Sequence, residues 1–316
     1  MQPIFEIPGH ELPYWAMELL DVDGRRGFIA DNVSAEDYHS TKALISKSTL
    51  DIADTSGAHY LYYLDPESCP GYDPDDAQEE TVAEELIIGN AFHTLVLEPM
   101  AFSRRYVELP DFGDMRSSTN RAVRDAWIRN DSGGRTPLKR QHLRMINGMR
   151  DSLMREPYMR KLLDDGQPEV TAVCIDPHTG LPCKARTDWL SRIRIGFDLK
   201  SAKDASRRWW RLEAGRRRLA VQSTFYPHVF QQAGVELEGF VFGVVEKTPP
   251  YAVGLYTLEE DDLLAGEQMY MRNLRDIRRW IESGRFPGYT DGKVESIRLP
   301  AFSRDEAERA MDDLPG

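Results

Sequence analysis

The chain has 316 residues, of which 41% are hydrophobic and 29% charged, with a net charge of −12. This composition is ordinary for a globular protein, and no apolar run approaches the length of a bilayer span. The acidic balance disfavours nucleic-acid binding over the whole surface, and three scattered cysteines (Cys69, Cys174 and Cys183) argue against a disulfide framework or a four-thiolate metal site. The opening "MQPIFEIPGHELP" has no basic segment followed by an apolar one, so no secretory signal is read and a cytoplasmic location is expected.

In chain order, "SAEDYHSTKALISKSTLDIADTSGAHYLYYL" reads as a helical region with Ser46 or Ser48 as a cap. "DPESCPGYDPDDAQEE" is a Pro- and Asp-rich loop. "TVAEELIIGNAFHTLVLEPM" predicts a strongly apolar, buried helix that stops near Pro99 and carries His93. A polar helix around "RAVRDAWIRN" sits between two loops, and "LKRQHLRMINGMRDSLMREPYMRKLL" is helical. The periodicity then changes to two in "EVTAVCID", "PCKARTDWL" and "RIGFDLKSA". "RRRLAVQSTFYPHVFQQAG" is a helix with Pro227 as a kink or break. "EGFVFGVVEK" and "YAVGLYTL" are strands, and "EEDDLLAGEQMYMRNLRDIRRWIESG" is a long closing helix. The order is a helical half followed by an α/β arrangement around a small mixed sheet.

Charge is unevenly placed. Residues 201–220 carry Lys203, Arg207, Arg208, Arg211, Arg216, Arg217 and Arg218 against Asp204 and Glu213, while "DPDDAQEE" and "RDEAERAMDD" are acidic. A basic strip of this kind is either a solvated helix face or a groove for phosphates.

The stretch "ARTDWLSRIRIGFDLKSA" places Asp188, Asp198 and Lys200 in a strand hairpin. Phe197 and Leu199 alternate with Asp198 and Lys200, so the charged pair shares one face. If the two strands pair, Asp188 meets Asp198. Two hard carboxylates at close range call for a cation such as Mg²⁺ or Mn²⁺, and Lys200 beside it can orient or activate a water. The spacing is short and degenerate, and taken alone it is read more simply as an ordinary Lys–Asp salt bridge. Gln222 and Tyr226 stand at i and i+4 on one helix face, where each can bond a phosphate or a water, or serve as a half-buried helix face. His93 reads as a core histidine or a ligand, Glu169 as a further carboxylate or a strand-edge charge, and Glu98 as a helix-end residue.

As an ordered set, "GNAFHTLVLEP", "CKARTDWL", "FDLKSA", "QSTFY" and "VVEKTPPYAVGLYTL" resemble the motifs of the exonuclease VIII (RecE)-like nucleases. These form a branch of the PD-(D/E)xK superfamily related to lambda exonuclease and the RecB nuclease domain. The resemblance runs over most of the chain. It implies a restriction-endonuclease-like α/β core at 166–316 and a mostly helical region at 1–165 that lends the His93 helix, the two forming one unit. It implies that Asp188, Asp198 and the Leu199 carbonyl bind Mg²⁺, with Mn²⁺ as a substitute, and that His93 is a ligand or close neighbour. Lys200 would position the water, Gln222 and Tyr226 would contact the scissile phosphate or support the site, and Glu169 would stand behind them. The implied activity is 5′-to-3′ digestion of linear double-stranded DNA for phage or prophage recombination. The implied assembly is a trimeric or tetrameric ring acting on duplex ends beside a single-strand annealing recombinase.

The sequence departs from the family pattern in having Ser201 where threonine is usual and Leu219 where an aromatic residue is frequent. Arg207, Arg208, Arg211, Arg216, Arg217 and Arg218 are expected along a DNA channel, with Trp209 or Trp210 stacking on a base or wedging the duplex end, or else packed in the core. The competing readings are an endonuclease or flap nuclease on the same fold, a non-catalytic DNA-binding or assembly protein, and a two-carboxylate glycosidase; Lys200 and the arginines suit phosphate better than sugar.

Overall fold

The period-two segments after residue 165 fold as strands because their alternating residues have helices to pack against. The computed structural model of the chain describes residue 7 and residues 10–16, 27–73 and 84–299. The acidic stretches at 74–83 and 304–313 lie outside the described residues.

The first half comprises β1 (Gly27–Ala30), α1 (Ala35–Ser40), α2 (Lys47–Thr55), α3 (Gly57–Leu64), α4 (Glu84–Leu97), α5 (Pro99–Arg105), β2 (Tyr106–Glu108), α6 (Ser118–Asn130), β3 (Thr136–Leu138), α7 (Arg140–Leu153) and α8 (Pro157–Asp164). Ser46 caps α2 through a reciprocal box with Thr49. The apolar helix ends where Pro99 starts α5, since proline at a first helical position donates no hydrogen bond. Pro157 does the same for α8, so the helical run expected from 138 to 163 is two helices.

The second half comprises β4 (Gly166–Ile175), β5 (Pro182–Ser191), β6 (Ile195–Ala202), α9 (Arg207–Arg216), α10 (Leu219–Gln232), β7 (Gly239–Glu246), β8 (Val253–Tyr256) and α11 (Glu260–Ser283). One mixed sheet has the order β1-β4-β5-β6-β7-β8, parallel only between β6 and β7, with α9 and α10 as the crossover. The α/β class with a mixed central sheet flanked by helices stands. The sheet is larger than expected because "GFIA" adds β1 antiparallel to β4, so the first half is not wholly helical. Three further elements differ from expectation. The loops on either side of α6 contain β2 and β3, paired in parallel. The basic strip forms its own helix, α9, and α10 starts only at Leu219, after Arg218 takes a left-handed conformation (φ 50°). Pro227 is carried inside α10 and does not end it.

Helices cover both faces. Phe92 and Leu95 of α4 pack with Ile146 and Met149 of α7 on Trp189, Phe197 and Leu199. Val221, Phe225 and Val229 of α10 pack with Leu274 and Ile277 of α11 against Val170, Ala172 and Ala185. A Cβ at Gly266 of α11 would run into the Ala220 carbonyl, so glycine sets how closely α10 and α11 cross. Among the described residues no helix is long and apolar enough to cross a membrane.

The sheet forks in its middle. β5 and β6 pair only at Trp189↔Phe197 and Leu190↔Gly196. Beyond that point β5 leaves β6, and Cys183 bridges to Ile45. Thr187 Oγ1 occupies the crotch, donating to the Phe197 carbonyl at 2.9 Å and accepting the Phe197 N–H at 3.2 Å. Asp188 and Asp198 stand where the strands part.

Candidate active site

Strand register sets the carboxylates in a row. Carrying the β5–β6 pairing one residue past Trp189↔Phe197 puts Asp188 opposite Asp198. The β4–β5 register, between Pro168↔Trp189 and Val170↔Thr187, puts Glu169 opposite Asp188. Glu169 takes a positive φ of 54°, which interrupts the ladder at that position.

The Asp188 carboxylate replaces a missing strand partner. Its Oδ2 accepts the Leu199 N–H at 2.7 Å and lies 3.3 Å from His93 Nδ1. The N–H and C=O of one strand residue lie on the same edge, so the Leu199 carbonyl faces the fork as well. Burial and then the Asp198 charge push the Asp188 carboxyl up, while His93, Lys200 and the Leu199 N–H pull it back. Asp198 is 3% exposed. Its Oδ1 accepts the Gln222 amide at 2.5 Å. Its Oδ2 lies 2.7 Å from the Lys200 ammonium but has no aligned hydrogen-bond donor. Burial opposes the Lys200 charge, yet Asp198 and Asp188 outweigh it and raise the lysine above its ordinary value. Lys200 is therefore an ammonium at neutral pH, fit to offset negative charge and unfit to take a proton.

The donor set suits a hard divalent cation: two carboxylates, one of them with a buried oxygen that lacks an aligned donor, and a strand carbonyl beside them. Among the described residues no three His, Cys, Asp or Glu side chains close into a metal cluster. His93 stands at this row with Nδ1 3.3 Å from Asp188 Oδ2.

Tyr226 lies one turn after Gln222, with its ring edge-on to Phe240. Burial, with the nearby acids, pushes its phenol well above the ordinary value, so it is a neutral donor. Glu169 lies 3.7 Å from the Arg186 guanidinium. Arg186 also caps the Tyr38 ring at 4.3 Å and bonds Thr171 Oγ1. Sequence reasoning passed over Arg186, although it lies in the quoted "CKARTDWL". It also treated Glu98 as a plain helix end. Glu98 in fact pairs with both Nη atoms of Arg105, at 2.7 and 3.0 Å, within electrostatic reach of Glu169.

Burial and then the Asp188 charge push Glu169 up to about 7, against the pull of Arg186. The folded chain then keeps a proton that the unfolded chain has lost, and stability declines as pH rises from about 4.5 towards 7. In metal-free protein, the melting temperature of wild type should fall below that of Glu169→Gln across this window, with the gap levelling above about pH 7. Parallel melting curves for the two proteins would remove Glu169 from the acid row.

The basic strip divides. Arg208 and Arg211 are exposed and have no carboxylate partner among the described residues. Arg207 and Arg216 pair loosely at the surface, with Glu259 at 3.4 Å and Glu213 at 2.7 Å. Arg217 lies within electrostatic reach of Lys200, and its guanidinium is 5.9 Å from the Trp210 ring. Arg218 does not line a channel. It is turned inward by the left-handed junction and bridges Asp51 at 3.0 Å and Asp54 at 3.2 Å, tying α10 to α2. The tryptophans divide as well: Trp210 is core at 3% exposure and Trp209 is open at 41%.

With the fork and its acids placed, the chain can be set beside known proteins. The profile of the PDDEXK-like domain of unknown function (DUF3799) matches residues 69–300. A crystal structure from Eubacterium rectale, described as "Putative exonuclease", is similar in fold with a TM-score of 0.52 at 13% identity, covering 86% of this chain and 98% of its own. No curated protein matches the sequence closely enough to count as a relative.

Proposed function

The chain belongs to the family of PDDEXK-like domains of unknown function (DUF3799), and on that premise we propose that it is a Mg²⁺-dependent deoxyribonuclease acting from the 5′ ends of linear duplex DNA. The observation that carries the reading is the facing pair Asp188 and Asp198 at the strand fork, with the Lys200 ammonium 2.7 Å from a buried Asp198 oxygen that lacks an aligned donor.

When bound by Asp188, Asp198 and the Leu199 carbonyl, a divalent ion supplies Lewis-acid charge to the scissile phosphate and acidity to the attacking water. The chain's own groups do the rest. Gln222 fixes the Asp198 carboxylate through Oδ1, so Oδ2 keeps its aim. The Leu199 N–H fixes the Asp188 carboxylate in the same way, with His93 Nδ1 close by at 3.3 Å. Lys200 brings positive charge to the place where water adds to phosphorus and one backbone P–O bond breaks, and such preset charge costs no reorganisation during reaction. Neutral Tyr226 is a donor for a phosphate oxygen. Arg208, Arg211 and Arg217 give α9 a face for the DNA backbone, which they can grip without reading sequence.

The preference for ends is supported by the motif resemblance and by the description of the Eubacterium rectale structure. Incubating end-labelled linear duplex and covalently closed circular duplex with Mg²⁺ tests it. Loss of linear DNA alone is the expected result. Cutting of the circle would replace the exonuclease reading with an endonuclease on the same fold.

A further inference from the structure

The charge of this chain is divided between two populations. From Arg104 to Arg144 there are ten lysines and arginines against five aspartates and glutamates, a net +5, so the remaining residues carry −17. In the structure this basic segment is the end of α5, the β2–α6–β3 unit and the start of α7.

The unit is not built for the core. α6 contributes no buried residue over thirteen positions, so packing alone does not account for its outer face. Arg116, Arg129 and Arg144 are exposed and have no carboxylate partner among the described residues. Arg121 is exposed as well, and its Nη1 donates to the carbonyls of Met115 and Arg116, each at 2.9 Å. Both contacts orient its guanidinium while leaving the charge uncompensated. Elsewhere in the segment Arg104 and Arg135 donate to the carbonyls of Met100 and Ser132, while other cations are paired, as Lys139 with Glu84 at 2.6 Å and Arg105 with Glu98 at 2.7 Å.

Position gives this surface a use. β2 follows directly on α5, and the Arg105–Glu98 pair at that junction is within electrostatic reach of Glu169 at one end of the acid row. At the other end, Arg217, which follows α9 and lies 3.7 Å from Glu213, is within electrostatic reach of Lys200. α7 packs on α4, which carries His93. Tyr106 of β2 and Leu138 of β3 pack in the same cluster as Phe92 of α4 and Leu199 of β6, so this unit adjoins the elements that carry the row, as α9 does through Trp210 and Ala202 of β6. A long polyanion whose phosphates meet both elements would lie across the row.

We propose that the β2–α6–β3 unit is a second, sequence-independent grip on the DNA backbone, so that duplex crosses the acid row from α9 to α6. The inference rests on the nuclease reading and adds a surface to it. Arginine suits the task because its planar fork pairs with phosphate oxygens in two bonds at once. Each phosphate contact releases condensed counterions, so each should steepen the salt dependence of binding by about 0.9 in log–log slope.

The test is duplex binding by fluorescence anisotropy in EDTA over a range of salt. It compares wild type, R116A/R121A/R129A, its lysine counterpart R116K/R121K/R129K, and a control of equal net charge, R275A/R279A/R285A, on and beyond α11. The alanine variant is expected to flatten the slope by about 2 to 3 and to weaken binding on the order of tenfold or more at about 0.1 M salt. The lysine variant should keep the slope and the control should leave it unchanged. An unchanged slope in the alanine variant, or an equal loss in the control, overturns the inference while leaving the nuclease reading in place. Failure of wild type to bind duplex overturns both.

Discussion

Replacing Lys200 with alanine is expected to lower the single-turnover rate on linear duplex by about 10³-fold while leaving Mg²⁺ binding at least as tight as in wild type. The ammonium lies against Asp198, and Asp188 raises it further, so it is charged throughout the neutral range. Its loss removes positive charge from the reacting phosphate. It also removes a cation that competes with a metal for the buried Asp198 oxygen. Rate and metal affinity should therefore separate. In EDTA the variant should be less stable than wild type, because a nearly buried carboxylate keeps only its Gln222 partner; such losses are typically about 1–3 kcal/mol. Added Mg²⁺ should recover the melting temperature without recovering the rate. Near-normal turnover would leave Lys200 as half of a structural ion pair.

Asp198→Asn should fail on both counts. Saturating Mg²⁺ stabilises a protein that binds it only when folded, by about 2.7 kcal/mol at one hundred times the dissociation constant. Wild type should show such a rise in melting temperature. The asparagine variant should lose most of it, because the amide has one acceptor oxygen in place of two. With that oxygen turned to Gln222, the NH₂ group faces Lys200, donor against donor. The cleavage rate should fall by about 10³-fold or more. A variant that keeps both the Mg²⁺ shift and the rate would show that the row does not hold the metal. Read together, the two variants separate a residue that holds the ion from one that acts beside it.

The strands from Gly166 onwards were legible because their alternation is local, and so were the helices that cap or break at Ser46, Pro99 and Gly284. The facing of Asp188 and Asp198 was legible as well, since a hairpin centred on the intervening turn allows it. The fork was not. It depends on β5 leaving β6 to meet Ile45, a contact far away in sequence. β1 was missed because four residues carry too little pattern, and β2 and β3 because each has three, one of them Pro137. Arg218 shows a different limit. Its triplet Arg216–Arg217–Arg218 reads as one basic cluster, but the left-handed turn at Arg218 points it into Asp51 and Asp54. The opposite error hid the α6 surface. A run of three arginines attracts the eye, whereas ten cations spread over forty-one residues become a patch only after folding.

The central claim is that the carboxylates at the fork hold a metal for phosphodiester hydrolysis. The most direct measurement is cleavage of end-labelled linear duplex by purified, folded wild-type protein with Mg²⁺, repeated with EDTA and with Asp198→Asn. Cleavage that requires Mg²⁺ and disappears in the variant is the predicted result. No cleavage with Mg²⁺ or Mn²⁺, or cleavage that persists in EDTA, would contradict it.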